Sequence, residues 1–407
     1  MMAVVLFALG TNAQTAVDDS VAMGAGYANS AFYKLSDGSE TAVSNSTWDL
    51  ALDVSGQGTS IRINGQAGTE LWYYPNGGIG DWATVDTAGI GGWTPLYNSD
   101  QVWAYGAFDA AAGSDPFDVG WGMYNVQNHQ IIGDKIFIIK LSDGSYQKVI
   151  IESMISGVYT IQHGSLDGGM DMTHTFTKSD FAGKNFGYFS LQNHSDLDRE
   201  PLKTDWDFVV EKYVGDLGGG SYYGVTGVLT NKGVYAAEAR GVDVSTANHW
   251  DYTSDSLINT IGHDWKEFDM NTYEYVIEQD LSYFIQDVEG NIWQVVFTGF
   301  AGSSTGKVWF TKTLVSATGV NEVENAMNVA VYPNPSTDGN VSLVFNLEED
   351  EAVANVYDMA GKLVRTQTFQ GQGFKQRNLR LNDVPAGTYA LRLTAGNNIT
   401  TKKLIIQ

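Results

Sequence analysis

An all-β architecture, two tandem related β-rich units followed by a small β-sandwich, is predicted by three features of this 407-residue chain. The first is composition. Glycine is frequent at 46 and proline scarce at 7, and Trp, Tyr, Phe, Val, Ile and Thr fill the short periodic segments, as half-buried pleated surfaces require. The second is a stretch used twice: Trp48-Asp49-Leu50-Ala51-Leu52 then Ser60-Ile61-Arg62-Ile63-Asn64, and Trp206-Asp207-Phe208-Val209-Val210 then Gly227-Val228-Leu229-Thr230-Asn231. The third is a hairpin used twice, turning at Ser142-Asp143-Gly144-Ser145 between Phe137 and Ile151, and at Asp287-Val288-Glu289-Gly290-Asn291 between Tyr283 and Phe297. Both pairs recur in the same order at similar offsets, which is the mark of a duplication.

The chain opens on an apolar run, Ala3-Val4-Val5-Leu6-Phe7-Ala8-Leu9, followed by the small-residue site Thr11-Asn12-Ala13. Residues 1–13 are therefore expected to be a signal peptide, lacking the usual basic start. The run is too short to anchor in a bilayer, so no membrane insertion is expected. The first unit is placed at 20–180. Phe32-Tyr33-Lys34-Leu35 leads in, the Trp-Asp strand follows, and the hairpin around Gly144 comes later. A buried Trp supplies a large anchor with one donor, and Asp beside it bonds nearby backbone. Gly144 supplies the positive φ of the turn. The second unit is placed at 181–316, with Phe186-Gly187-Tyr188-Phe189-Ser190-Leu191 leading in and Gly290 in its hairpin.

Between strand and hairpin, the first unit carries an unusual insert with Trp72, Trp82, Trp93, Trp103 and Trp121 among many glycines. These aromatics either cover the mouth of a β core or line a site for a flat or ring-shaped ligand. A polar linker is expected at 317–329. At 330–407 alternation resumes after Tyr332-Pro333-Asn334-Pro335, with Gly361, Gly371, Gly373, Gly387 and Gly396 marking turns, the size and pattern of a small β-sandwich.

Charge and cysteine narrow the function. Net charge is −24, and residues 320–407 hold eight basic and nine acidic residues, so nearly all the acidity lies before them. That argues against nucleic acid and anionic membranes as partners. With no cysteine there are no disulfides, thiolate nucleophiles or Cys-ligated metals. His-Glu-x-x-His and phosphate-binding glycine loops are both missing. Asp167-Gly168-Gly169-Met170-Asp171 lacks the rest of a calcium loop and reads as a turn.

The last domain closely resembles the type A C-terminal sorting domain of the type IX secretion system of Bacteroidetes. Its carriers are Pro333, Asn334 and Pro335, the Tyr357-Asp358-Met359-Ala360-Gly361-Lys362 turn, Gly387 and Tyr389, and the closing Lys402-Lys403-Leu404-Ile405-Ile406. The resemblance implies an Ig-like sandwich read as an export address by the secretion machinery. It also implies delivery to the outer surface or the medium.

The Trp-Asp units, with Ile61-Arg62-Ile63-Asn64 and Asp143-Gly144-Ser145-Tyr146-Gln147-Lys148-Val149, look like the HmuY family of haem-binding proteins. That likeness implies a non-enzymatic binding protein, with haem or a related tetrapyrrole as cofactor. It supplies no axial ligands residue by residue. Haem iron takes His or Met, and the best-placed candidates are His129, His163, His174, Met123 and Met172, with Met170 nearby. A surface adhesion or glycan-binding protein is the alternative, and a secreted hydrolase with two convergent carboxylates the third possibility.

Overall fold

In the computed structural model, residues 15–317, 329–347, 351–358, 362–370, 373–396 and 398–407 are described. The expected signal peptide, most of the linker and Gly361 lie outside them. The chain forms two compact units, Met1–Thr318 and Gly319–Gln407.

The first unit opens with β1 (Val17–Ala22), β2 (Asn29–Tyr33), β3 (Glu40–Ser44), β4 (Leu50–Asp53), β5 (Ile61–Ile63), β6 (Glu70–Tyr73), β7 (Pro95–Leu96), β8 (Gly122–Asn125) and β9 (Gln130–Gly133). It continues with β10 (Phe137–Lys140), β11 (Tyr146–Ile155), β12 (Val158–Ser165), β13 (Asp171–Thr177), β14 (Phe186–Ser190), β15 (Ser195–Leu197), β16 (Phe208–Asp216) and β17 (Tyr222–Thr230). It ends with β18 (Tyr235–Arg240), β19 (Lys266–Asp269), β20 (Glu274–Ile277), β21 (Leu281–Gln286), β22 (Ile292–Phe300) and β23 (Lys307–Ser316).

These strands build two sandwiches. In body one an outer sheet, β13-β12-β11-β10-β6-β7 with β8 and β9 attached, covers an inner sheet, β15-β14-β4-β5. In body two the outer sheet is β1-β23-β22-β21-β18 and the inner sheet β17-β16-β2-β3, with β19-β20 as a separate hairpin. Strand alternation assigns the faces. Leu50, Leu52, Ile61 and Ile63 point into core one beside Phe137, Ile151 and Phe189. Phe208, Val210 and Val228 point into core two beside Tyr283 and Phe310. Phe208 stacks on Tyr33 and meets Phe310 edge-on, so truncating it to Ala should cost about 3–5 kcal/mol.

The pairing crosses the division expected at residues 180 and 181. Phe32-Tyr33, read as the lead-in to the first unit, lies on β2 and pairs with β16 of the second Trp-Asp copy, Tyr33 opposite Phe208. Phe186–Ser190, read as the lead-in to the second, pairs with β4 of the first copy, Phe189 opposite Leu50. Body one is thus built from residues 48–197. Body two takes β16 to β23 and is completed by the chain's own beginning, since β1 pairs with β23. β1, β2 and β3 stand in body two where β13, β14 and β15 stand in body one.

The repeated polar residues do the same work in both bodies. Asp49 Oδ2 accepts the Leu191 N–H at 2.8 Å, and Asp207 Oδ2 accepts that of Leu35 at 2.7 Å. Each Asp therefore ties its strand to the partner strand from elsewhere in the chain. Asn64 Nδ2 donates to the carbonyls of Asn45 and Trp48, and Asn231 Nδ2 to those of Lys203 and Trp206. The Trp-Asp loop is closed alike in both.

The second unit is a sandwich of β24 (Val329–Tyr332), β25 (Asn340–Leu347), β26 (Glu351–Asp358), β27 (Leu363–Gln370), β28 (Gly373–Arg380), β29 (Gly387–Ala395) and β30 (Asn398–Ile406). Its sheets are β24-β25-β28 and β27-β26-β29-β30. Val341, Leu343, Val356, Leu391 and Leu404 lie in the core between them.

Candidate functional site

The two inner sheets turn their second faces toward each other. Odd-even alternation leaves Ala51, Arg62 and Tyr188 on this face of body one, and Phe32, Val209 and Glu211 on that of body two. A cavity of about 70 Å³ lies between them, enough for several water-sized groups. Both repeated tryptophans line it. Trp48 meets Tyr188 edge-on at 5.0 Å and Trp206 meets Phe32 edge-on at 4.9 Å, so the pseudo-symmetry of the bodies carries into the site.

Its closure comes from the first unit's insert. Arg62 Nη1 and Nη2 donate to the carbonyls of Ser99, Val102, Trp103 and Tyr105, folding that loop over the guanidinium. Gly106 lets the loop return, because any Cβ there would strike the Ile61 carbonyl. Trp103 then wedges between the sheets, its Nε1 donating to the Thr230 carbonyl at 2.8 Å. Lys232 Nζ meets Asp53 Oδ2 at 2.8 Å, and Asn185 Nδ2 donates to Asn231 Oδ1 at 2.6 Å. These contacts span the two bodies.

The polar lining is buried at Arg62 and Glu200 and half-buried at Arg199 and Glu211. Arg62 is 8 % exposed and Glu200 3 %. Burial draws the Arg62 guanidinium down to about 10. Burial pushes the Glu200 carboxyl up to about 7, although Asn185 N–H and Tyr188 Oη–H donate to it. Glu211 is raised for the same reason and accepts the Ser30 hydroxyl at 2.5 Å. Arg199 donates through Nη2 to the Val43 and Ser44 carbonyls and to Asn45 Oδ1, and lies over the rings of Trp48 and Tyr188. Four donors of the lining have no partner among the described residues: Trp48 Nε1, Trp206 Nε1, Arg199 Nε and the Tyr213 hydroxyl.

The histidines expected to bind a cofactor are elsewhere. His163, fully buried on β12, and His174 on β13 lie at one end of body one, where the structure adds His194. His163 Nε2 is 2.8 Å from His194 Nδ1, and His163 Nδ1 is 2.9 Å from Gln147 Oε1. His174 stacks on Phe189 and bonds Asp196 at 2.7 Å. Met172 stands opposite His163 in the ladder. His129 and Met123 lie on the β8-β9 hairpin, where His129, at positive φ, bonds the Tyr124 hydroxyl. Among the described residues, no group of three His, Cys, Asp or Glu is arranged to hold a metal.

The five insert tryptophans do not share a site. Trp72, Trp82 and Trp93 pack over the outer sheet of body one, Trp103 lines the cavity, and Trp121 is in core one. Arg62, Arg199, Glu200 and Glu211 escaped the reading of the sequence. Of these only Arg62 left a signal there, a cation between Ile61 and Ile63 on a strand whose neighbours are core.

In the tail, Asn334 Nδ2 donates to the Lys403 carbonyl and Oδ1 accepts the Ile405 N–H. The Pro333-Asn334-Pro335 turn thereby holds the closing strand at Lys403 and Ile405. Tyr389 Oη donates to the Pro385 carbonyl just before Gly387.

Comparison with curated proteins finds no match. Fourteen chains of solved structures match, among them one titled "Biofilm associated protein - BSP domain". It is 11 % identical, covers 88 % of this chain and 81 % of that one, and has a TM-score of 0.16. Among the described residues no helix is long and apolar enough to cross a membrane. Residues 330–407 match the secretion system C-terminal sorting domain. The chain therefore carries a type IX sorting tail, engages that secretion machinery, and is exported to the cell surface or the medium.

Proposed function

We propose that the exported body is a non-enzymatic binding module that takes a sugar residue in the cavity between its inner sheets. One observation carries the reading. Trp48, Trp206 and Tyr213 are each more than nine-tenths buried, line the same cavity, and have a donor without a partner among the described residues. An unmade hydrogen bond at a buried donor costs about 1–3 kcal/mol, and a ligand rich in oxygen acceptors would recover it. Aromatic faces beside those donors suit the C–H face of a sugar ring.

A glycan array probed with the full exported chain, followed by calorimetry on its hits, tests this. Trp206→Phe keeps the packing and removes one donor, so it should weaken binding by about 1–1.5 kcal/mol, roughly tenfold. Affinity unchanged in both Trp48→Phe and Trp206→Phe would place the site elsewhere.

Haem is the second reading, and the histidine cluster favours it. His163, His174 and His194 gather beside Met172, and such side chains are haem's usual axial ligands. Haemin titration gives a saturable, shifted Soret band if it holds. His174→Ala and His194→Ala should abolish that band while leaving glycan binding intact.

A further inference from the structure

We propose that the cavity selects an anionic ring, a sugar or related compound bearing a carboxylate, through Arg199 and the two indole N–H groups; this rests on the cavity being the binding site. The first ground is an imbalance of hydrogen-bonding groups. Four of the lining's unpartnered groups are donors, at Trp48, Trp206, Arg199 and Tyr213, and one, Asn185 Oδ1, is an acceptor. An occupant that satisfies them must present mainly acceptors.

The second ground is charge. Neither Arg62 nor Arg199 has a carboxylate within ion-pair distance among the described residues. Arg62 is satisfied by four loop carbonyls and so serves as scaffold. Arg199 is different. Its Nη2 is spent on the 43–45 segment, its planar face lies against Trp48 and Tyr188, and its Nε is left over. Arg199 is half-buried and feels Glu200 and Glu211 only through space, and a planar carboxylate in direct contact is the group its fork fits.

The third ground is what stands opposite. Glu200 adjoins Arg199 in sequence, faces Tyr188 of β14, and feels Lys232 from the turn after β17. Glu211 of β16, Arg62 of β5, Lys212 and Asp100 complete the charged lining. A ligand carboxylate entering here competes with ionised Glu200 for the same cations. Burial already holds Glu200 near neutrality at about 7, so its protonated form is available to admit an anion. Binding of an anion and binding of this proton therefore reinforce each other, and affinity should rise as pH falls through 7. Glu200→Gln mimics the protonated state and should bind the anion equally well at both ends of that range.

Calorimetry on the full chain with methyl glucuronide, methyl galacturonide and methyl mannuronide, each beside its neutral parent glycoside, decides the matter at pH 6 and pH 8. At least one uronide should bind about tenfold more tightly than its parent at pH 6, a difference of about 1.4 kcal/mol. The margin should shrink at pH 8 in the native chain and stay constant in Glu200→Gln. Arg199→Gln should erase the preference and Arg199→Lys should keep part of it. If Arg199→Gln does not fold, the Lys variant and the pH pair on the native chain still decide. Neutral glycosides binding as well as uronides would overturn the anion proposal and leave the sugar site standing. Binding by neither class would overturn the site itself.

Discussion

At the level of single residues, pH response separates the buried groups by sign. His163 titrates near 4 in the folded chain, held down by burial first and by His194 and His174 next. Unfolded, it titrates near 6.5. Between those values the unfolded chain binds the extra proton, so the stability His163 allows is full above about 6.5 and is lost as pH falls toward 4. The loss is at most about 3 kcal/mol. The buried carboxyls act oppositely: Asp207 is raised to about 6 and Glu200 to about 7 by burial. For them the folded state binds the extra proton, and they favour folding as pH drops below those values. Urea unfolding of native chain and His163→Gln at pH 8, 6 and 5 isolates the histidine. The variant should lose about 1–2 kcal/mol at pH 8 and lack the native chain's added acid loss. Parallel pH slopes in the two would remove His163 as the cause. Asn231 gives a simpler expectation. Its Nδ2 satisfies two carbonyls and its Oδ1 accepts from Asn185, so Asn231→Ala should cost about 2–3 kcal/mol in the same assay.

Among elements, the duplication was legible and its closure was not. Trp-Asp strands, Asn closures and glycine hairpins recur in the chain with the chemistry their local roles demand, and the structure uses each pair alike. Phe32-Tyr33 and Phe186–Ser190, however, are both alternating apolar strands next in sequence to a Trp-Asp strand. Local pattern does not say which Trp-Asp strand each will join. The choice is made by long-range pairing, β2 with β16 and β14 with β4. The cavity was hidden for the same reason, because Arg62, Arg199 and Glu211 come from strands and loops far apart in sequence. The pairing also makes an expectation about connectivity. Since β23 and β1 are antiparallel neighbours, with Lys312 opposite Val17, a short turn from Ser316 to residue 15 would form a hairpin. A permuted body beginning at Ser46 and ending with residues 15–45 should fold, with a melting temperature within a few degrees of the native body. Deleting 15–45 outright should leave one edge each of β16 and β23 unpaired. Hydrogen exchange should then be fast in β21 to β23 and still slow in β10 to β12. Uniform loss of protection would mean that the two cores are a single cooperative unit.

For the whole molecule, the two compact units divide the labour of folding and address. Each has its own hydrophobic core, and the acidity sits almost wholly before residue 320. Each cluster is built from described residues of one unit, so a chain ending at Thr318 should keep the body's melting temperature and its ligand affinity. It should fail only in delivery, accumulating in the periplasm when cell fractions are compared. The sorting unit can be tested without removing it. Asn334 makes two bonds to β30, one to the Lys403 carbonyl and one from the Ile405 N–H. Ser336 adds two more, its N–H donating to the Ile405 carbonyl and its carbonyl accepting from Gln407. Losing the Asn334 pair by Asn334→Ala should cost the sorting unit about 1–3 kcal/mol and loosen β30 from Lys403 to Ile405 on its edge away from β29. The surface-exposed fraction should fall several-fold while binding by the purified protein stays native. If the variant reaches the surface normally although its sorting unit melts earlier, the secretion machinery reads the closing strand without needing it pinned. If binding falls along with delivery, the independence of the two units is wrong.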